Sequence, residues 1–294
     1  MIRYIDRQSG KVHEEKVYFE GFLHLLYAKN IFSRFLCALI SKNYFFSNFV
    51  GWWQNRRFTR RKIAPFVKKY ALDATEFEKP VEAFTSFNDF FIRTLKKEAR
   101  PVCTEDICMP ADGRYLFFPH IGEGDTLLVK GKKFSLSTLL QDPALEKHFK
   151  GGSMVLARLC PSDYHRFHFP LDCVAQKSRL INGFLYSVNP YAVAQSVHSF
   201  TENKRVLTVL ETAIGKVLFM EVGATNVGSI HQTYKPGKTY RKGDMKGFFS
   251  FGGSALIVLF EPKKITFDPQ LLQHSQKHLE IRCLMGQFLA SINK

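Results

Sequence analysis

The sequence lacks the features that would place it in several common classes of protein. Acidic residues are few, with 26 Asp and Glu against 42 Lys and Arg in 294 residues, which excludes an acidic disordered chain. The six cysteines form no C-x-x-C pair, so neither a zinc knuckle nor a disulfide framework is indicated, and we expect a reducing cytosolic compartment. The cysteines are Cys37, Cys103, Cys108, Cys160, Cys173 and Cys283.

Long apolar runs are missing as well. The longest run in the N-terminal part extends from Phe35 to Ile40, far short of the roughly 20 residues that a bilayer-spanning helix needs. No apolar stretch with a small-residue cleavage site follows the first residues, so we expect neither a secretory signal nor a membrane-spanning helix.

Positive charge and aromatic side chains are in excess near the N-terminus. The formal net charge is +16, and residues 1–70 carry 14 basic against 4 acidic side chains. Both tryptophans, Trp52 and Trp53, lie in a segment crowded with Phe, Leu and Tyr, residues 17–58. The charge favours an anionic partner. The composition suits helices that lie in a membrane interface, and it equally suits a helical subdomain whose basic face is solvated.

Residues 63–100 continue with helical spacing. Apolar side chains recur at intervals of three and four between Phe87 and Leu95, which predicts one apolar helical face that ends before Pro101. Ser86 stands three residues before Asp89 and is a candidate for the residue that caps this helix.

After Pro101 the pattern changes to short β-branched and aromatic runs broken by glycine, which predicts a β-rich domain. A helical pattern returns over residues 268–294. We therefore predict an α+β protein with a helical region over residues 1–100 and a β-rich domain over residues 101–294 that ends in a short helix. The clearest predicted strands are Met154–Leu159, Val206–Leu210, Lys216–Val222 and Ala255–Phe260.

Two clusters hold residues suited to acid–base chemistry. Asp112 and Gly113 form an Asp-Gly pair in MPADGRY, which by itself indicates only a turn. His165 and His168 lie in DYHRFH and could bind a metal if helical, act as a general base, or simply be buried and hydrogen-bonded. The absence of an H-E-x-x-H motif makes a zinc hydrolase a weak interpretation, and we predict no metal site.

A third cluster holds a candidate nucleophile. Gly252 and Gly253 precede Ser254, which begins a strongly apolar segment. Glycines at this point allow an unusual backbone and a close approach to the Gly253 carbonyl. A G-x-S-x-G elbow is not formed because residue 256 is Leu, so a simple turn before a strand remains an alternative.

Taken together, these clusters resemble the phosphatidylserine decarboxylase family, whose members are proenzymes with a pyruvoyl group. The resemblance covers roughly residues 83–262. One departure is Ala255, where many relatives carry Thr, so this chain lacks that hydroxyl. The matching segments, in order along the chain, are FNDFFIR (87–93), ARPV (99–102), ADG (111–113), VKGKKFSLSTLL (129–140), YHRFHFP (164–170), VGATNVGSI (222–230) and KGDMKGFFSFGGS (242–254).

The resemblance implies that the chain makes its own cofactor, a covalent pyruvoyl group derived from Ser254. In that scheme the Ser254 hydroxyl attacks the Gly253 carbonyl, and the new N-terminal carbonyl later forms a Schiff base with the substrate amine. His168, oriented by Asp112, is implied as the base in a self-cleavage triad. His165 is the candidate for proton transfer during decarboxylation, and exchanged roles for the two histidines remain open.

The resemblance also implies partners and a location. The substrate is phosphatidylserine, so we expect a peripheral protein on the cytoplasmic face of the cell membrane, attracted to its anionic surface. Trp52 and Trp53, with Phe45 and Phe46, are expected to form part of the membrane anchor. The working enzyme is expected to be a heterodimer of a β chain, residues 1–253, and an α chain, residues 254–294, with further dimerisation left open and no nucleic-acid partner.

Three other functions remain as alternatives. The first is a serine hydrolase that uses Asp112, His168 and Ser254 on an external ester or amide, which predicts an intact chain. The second is a binding module, because the KGDMKGFF turn resembles that of lipoyl or biotinyl carriers, although the Met-Lys-Met setting of their lysine is absent. The third is nucleic-acid binding, motivated by the net charge but unsupported by a recognition motif.

Overall fold

A computed structural model of the chain describes residues 3–15, 21, 44–121, 126–129, 132–188, 198–224, 230–252, 254–277 and 279–293. These residues form an α+β fold dominated by strands. The strands are Arg3–Asp6 (β1), Val12–Glu14 (β2), Ile107–Cys108 (β3), Gly113–Phe118 (β4), Thr126–Val129 (β5), Lys132–Ser135 (β6), Ser153–Leu159 (β7), Arg166–His168 (β8), Cys173–Ala175 (β9), Arg179–Ile181 (β10), Arg205–Thr212 (β11), Gly215–Gly223 (β12), Ile230–Gln232 (β13), Thr239–Tyr240 (β14), Met245–Phe249 (β15), Ser254–Phe260 (β16), Ile265–Phe267 (β17), Glu280–Cys283 (β18) and Phe288–Ile292 (β19).

The helices are short and lie mostly in the first third of the chain. The α-helices are Tyr44–Gln54 (α1), Ile63–Tyr70 (α2), Phe87–Phe91 (α3), Leu136–Leu140 (α4), Pro143–Phe149 (α5), His198–Glu202 (α6) and Pro269–Ser275 (α7). Short 3₁₀ helices occupy Arg57–Lys62, Ala74–Glu76, Val81–Ala83 and Lys97–Ala99.

One large sheet organises the fold, with the strand order β14-β9-β11-β12-β16-β7-β4-β18-β1-β2 and β10 paired to β11. The described pairings are antiparallel except for β1, which runs parallel to β18. A second sheet, β13-β15-β8, carries the histidine motif on β8. The four strands predicted from their apolar runs are confirmed as β7, β11, β12 and β16.

The central strands are apolar on both faces because both faces of the large sheet are covered. On β7, Val155 and Ala157 belong to one buried cluster, whereas Met154 and Leu156 belong to another. All seven positions of β16 are buried. A strand buried on both faces has a continuous apolar run instead of an alternating one, and this is why the sequence signal was strong here.

An aromatic cluster packs beside the sheet and contains much of the helical part of the chain. Ser86 caps α3 as predicted, its hydroxyl accepting a hydrogen bond from the Asp89 N–H at 3.1 Å. The predicted extension of this helix towards Pro101 is wrong: Ile92 leaves the helical conformation, and Leu95 pairs with Phe77 in an isolated β-bridge. The buried members of the cluster are Ile63, Phe66, Phe77, Phe84, Phe87, Phe90, Phe91 and Phe251.

Both ends of the chain differ from the sequence prediction. The first described residues are strands, not helices, and β1 joins the large sheet beside β18. At the other end the predicted helix is present as α7, but β18 and β19 follow it. These short strands are stabilised by distant partners, which a local pattern does not reveal. The boundary between residues 100 and 101 stays a prediction.

No helix among the described residues is long and apolar enough to cross a membrane. Helix α1 exposes aromatic side chains near its C-terminal end, with Trp52 50% exposed and Trp53 41% exposed. A membrane-facing role for this region stays a prediction.

Candidate active site

Ser254 is the first residue of β16 and lies inside the large sheet. It stands opposite Leu159 of β7 on one side and Gly223 of β12 on the other. The residue is fully buried, and its hydroxyl has no hydrogen-bond partner within the part of the chain that the structure describes. A buried hydroxyl without a partner is costly to a fold, which makes Ser254 a candidate for a chemical role. Gly253 lies outside the described residues.

Helix α3 holds the segment that leads to Ser254. The backbone N–H of Phe251 donates a hydrogen bond to Asn88 Oδ1 at 2.9 Å. The Phe251 ring packs edge-on against Phe87 and Phe91, with ring centroids 5.4 and 5.1 Å apart. Gly252 then adopts a φ of 140°, a conformation that residues with a side chain rarely adopt. The glycine therefore turns the chain from the aromatic cluster into the sheet.

His165 is fully buried between β7 and β8, with its ring centroid 3.8 Å from that of Phe91. Its Nδ1 lies 2.9 Å from the Asp163 carbonyl oxygen. Because a carbonyl only accepts, the proton is on Nδ1 and the lone pair on Nε2. Nε2 has no partner among the described residues. Burial lowers the pKa of His165 to about 4, so the imidazole is neutral at neutral pH.

His168 ends β8 and is also neutral and oriented. Its Nδ1 donates to the Gly243 carbonyl oxygen at 2.9 Å, and its Nε2 accepts from the Tyr164 hydroxyl at 3.2 Å. Burial lowers the pKa of His168, while the charge of Asp112 opposes this effect. A neutral imidazole with its lone pair on Nε2 is the form that a general base needs.

The carboxylate of Asp112 is buried and engaged by other groups. Arg100 binds it with two nitrogens, Nε to Oδ1 at 2.9 Å and Nη2 to Oδ2 at 2.7 Å. The Met285 N–H donates to Oδ1 at 2.8 Å. Between these described residues, no hydrogen bond joins Asp112 to His168. The orienting contact that the sequence analysis expected from Asp112 is instead made by the carbonyl of Gly243.

A buried network of ion pairs fixes the segment between β7 and β8, which carries His165. Arg114 binds Asp163 through Nη1 at 2.6 Å, and the same carboxylate accepts from the Cys160 N–H at 2.7 Å. Arg158 binds Glu280 at 2.6 Å, which ties β7 to β18. Buried charged pairs hold one geometry, because removing either partner leaves an unpaired buried charge.

Four groups of this site were not predicted from the sequence. Arg100 and Asn88 lie in the ARPV and FNDFFIR segments, so the motifs contained both residues but did not indicate what either one binds. Tyr164 stood next to His165 but was given no role. The Gly243 carbonyl is a backbone group, and every residue has one, so the residue type could not indicate its role.

Comparisons with known proteins agree on one family. The family model described as phosphatidylserine decarboxylase matches residues 87–291. The chain is 51% identical over 290 residues to a phosphatidylserine decarboxylase proenzyme of Chlamydia pneumoniae, covering 98% of this chain and 96% of that protein. It is 50% identical over 291 residues to the protein of the same name from Chlamydia felis (strain Fe/C-56), covering 98% and 97%. A third, from Chlamydia muridarum (strain MoPn / Nigg), is 50% identical over 293 residues, covering 97% and 96%.

Proposed function

The chain belongs to the phosphatidylserine decarboxylase family, and on that premise we propose that it cleaves itself before Ser254 and then decarboxylates phosphatidylserine to phosphatidylethanolamine. The observation that carries this proposal is the Ser254 hydroxyl, which is buried at the start of β16 without a hydrogen-bond partner among the described residues. A serine with a purely structural role would be expected to use its hydroxyl.

The proposed self-cleavage is a rearrangement of the chain's own backbone. The Ser254 hydroxyl attacks the Gly253 carbonyl carbon, the peptide C–N bond breaks, and an ester forms in its place. Elimination then leaves a carboxylate on Gly253 and a dehydroalanine at residue 254. Water replaces the nitrogen of the tautomerised residue, and ammonia leaves. The balance requires only water, and the product is a pyruvoyl group at the new N-terminus.

His168 is the proposed base for this attack. Its neutral state and the lone pair on Nε2 suit it to accept the Ser254 proton, once Tyr164 gives up its hydrogen bond to that nitrogen. Asp112 supports it through charge, since its carboxylate raises the pKa of His168 against the effect of burial. Arg100 in turn holds Asp112 in place.

The residues around position 254 fit a pyruvoyl group. When formed there, the group supplies a carbonyl that acts as a sink for electrons. Residue 254 is fully buried between β7 and β12, so the group would lie within the sheet and away from bulk solvent. His165 presents an unpartnered Nε2 and is the proposed residue that holds and delivers a proton at that atom during decarboxylation.

The first experiment is intact-mass spectrometry of the purified full chain beside three variants. The wild type should give residues 1–253 and residues 254–294, the smaller one lighter by one NH₃ than a peptide beginning with Ser. Ser254→Ala and His168→Ala should remain whole. His165→Ala should be cut but should release little CO₂ from phosphatidylserine, which separates the two histidine roles.

The main alternative is tested by the same measurement. A single uncut wild-type mass would refute self-processing and favour a serine hydrolase that acts on an external ester or amide. Labelling of Ser254 by a fluorophosphonate probe would then support that alternative. Cleavage in the His168 variant and not in the His165 variant would exchange the two proposed roles.

Association with an anionic membrane, at the cytoplasmic face of the cell membrane, completes the proposal. Four aromatic side chains between the middle of α1 and the 3₁₀ helix after it are 41–50% exposed. The basic residues Arg57, Arg60, Arg61 and Lys62 lie in that 3₁₀ helix. The side chains of Phe45 and Phe46 lie outside the described residues. The exposed aromatic residues are Phe49, Trp52, Trp53 and Phe58.

Sedimentation with vesicles that contain phosphatidylglycerol tests this surface. Replacing Trp52 and Trp53 by Ser should weaken binding by at least about 10-fold, because each buried aromatic contributes about 1.5–3 kcal/mol. Leu180→Ser removes an equally exposed apolar side chain on β10 and serves as the control. Undiminished binding of the double variant would contradict an anchor at this position.

A further inference from the structure

Arg93, the last residue of the FNDFFIR segment, is a buried cation with unused donors. It is 5% exposed, and its Nη2 donates to the carbonyl oxygens of Ser162 at 3.0 Å and Asp163 at 3.1 Å. Its Nε and Nη1 are buried and find no acceptor in the described part of the chain. Rings of Phe77 and Phe90 cover the guanidinium, with its carbon 5.2 and 4.9 Å from their centroids.

Arg93 lies beside the candidate catalytic histidine. The Asp163 carbonyl oxygen that accepts from Arg93 Nη2 also accepts from His165 Nδ1, at 2.9 Å. The charge of Arg93 adds to the effect of burial in lowering the pKa of His165. Three buried polar atoms without partners among the described residues therefore belong to two neighbouring side chains: Nε and Nη1 of Arg93, and Nε2 of His165.

No carboxylate among the described residues forms an ion pair or a hydrogen bond with Arg93. Burial lowers the pKa of Arg93 to about 10, so it stays charged at neutral pH. Asp112 and Asp163 act on it through charge, but each is held by its own arginine, Arg100 and Arg114. Buried donors are normally paired, and the fork of an arginine matches the oxygens of a phosphate or carboxylate.

We propose that Arg93 binds the phosphodiester of the lipid head group; this inference rests on the proposed function. Phosphatidylserine carries two anionic groups, a carboxylate and a phosphodiester, and the reaction affects their charges differently. A cation paired with the carboxylate would stabilise a charge that disappears as CO₂ leaves, which would oppose the reaction. The phosphodiester keeps its charge throughout, so binding it holds the substrate beside His165 without raising the barrier.

The test measures binding by titration calorimetry in the full-length Ser254→Ala chain, so that the readout depends neither on self-cleavage nor on turnover. The main ligand is glycerophosphoethanolamine, which has the phosphodiester but no carboxylate. Arg93→Gln should weaken its affinity by about 10- to 100-fold, the effect of losing a charge-assisted hydrogen bond. Arg93→Lys keeps the charge and should recover part of the affinity.

Two controls make the result specific. Arg179→Gln removes a half-exposed arginine that pairs with Asp142 on the surface and should change the affinity by less than about 2-fold. O-Methylserine, with a carboxylate and no phosphate, should bind the Arg93→Gln variant as it binds the parent. Melting temperatures of all variants show whether each remains folded, and Arg93→Lys carries the test if the Gln variant does not.

The calorimetric outcomes test the role of Arg93 separately from the proposed self-cleavage and decarboxylation. Equal affinity of the Arg93→Gln variant and its parent for glycerophosphoethanolamine, or no binding by the parent, would overturn the proposal. Loss of O-methylserine binding alone would assign Arg93 to the carboxylate and also overturn it. Failure of the proposed function appears elsewhere, as an uncut wild-type mass, and leaves the calorimetric result to be judged separately.

Discussion

Replacing Asn88 by Ala should slow self-cleavage while leaving the fold intact. Asn88 is buried in α3, and its Oδ1 is the acceptor for the Phe251 N–H at 2.9 Å, two residues before Gly253. The alanine variant leaves this N–H without a partner in an aromatic surrounding. We expect the segment before Ser254 to lose its fixed position, because the aromatic contacts of Phe251 alone do not define its backbone.

The size of the effect follows from the cost of one unpaired buried donor, about 1–3 kcal/mol. If the whole cost appears in the barrier to attack, the cleavage rate falls by about 5- to 150-fold. The assay is the time course of the 254–294 fragment by intact mass after synthesis of the chain. Asn88→Asp keeps an acceptor for Phe251 and should retain most of the rate.

Asn55→Ala is the matched control, because Asn55 binds the amide nitrogen of Asn88, whereas Phe251 binds its amide oxygen. Asn55 Oδ1 accepts from Asn88 Nδ2 at 3.0 Å, but Asn55 is exposed, so water can replace it and the rate should change little. Cleavage of Asn88→Ala at the wild-type rate, with an unchanged melting temperature, would refute the role of this hydrogen bond in positioning the cleaved segment.

Two further predictions concern stability. The pKa of His165 is about 4 in the folded chain, against an ordinary value of 6.5. Between these two pH values the unfolded chain binds a proton that the folded chain does not bind. The free energy of unfolding therefore falls as the pH falls through this range. Urea unfolding of the uncut Ser254→Ala chain at pH 7 and pH 4 should show about 3 kcal/mol more loss of unfolding free energy with His165 present than with His165→Gln, and equal losses would contradict this assignment. Lys246 binds Glu221 at 2.6 Å with both side chains fully buried. In the uncut Ser254→Ala chain, Lys246→Met should therefore cost about 3–5 kcal/mol in denaturant unfolding, and a second change, Glu221→Leu, should recover most of it. A single variant as stable as its Ser254→Ala parent would show that the pair is dispensable.

The strands that could be predicted are those whose burial produces a continuous apolar run in the local sequence. β7 and β16 are apolar at nearly every position because both of their faces are covered. β1 could not be predicted, since its four residues become a strand only by pairing with β18 at the opposite end of the chain. β19 was missed for the same reason, since its partners β3 and β17 are separate segments.

The candidate site shows a similar division. Ser254, His165 and His168 could be found because few residue types carry their chemistry, and the resemblance joined them. The contacts that orient them could not be read from residue types. The carbonyls of Gly243 and Asp163 are backbone groups, and the preference of Asp112 for Arg100 over His168 depends on how two loops pack.

The place of residues 254–294 within the sheets has a consequence for the protein after cleavage. β16 is hydrogen-bonded on both sides, β18 lies between β4 and β1, and β17 and β19 form a separate sheet with β3. Cutting before Ser254 would therefore release no fragment. It would, however, make refolding a meeting of two molecules, so that recovery from denaturation would depend on concentration. A protein cut in this way would fold as one chain, and its lifetime afterwards would be governed by its rate of unfolding.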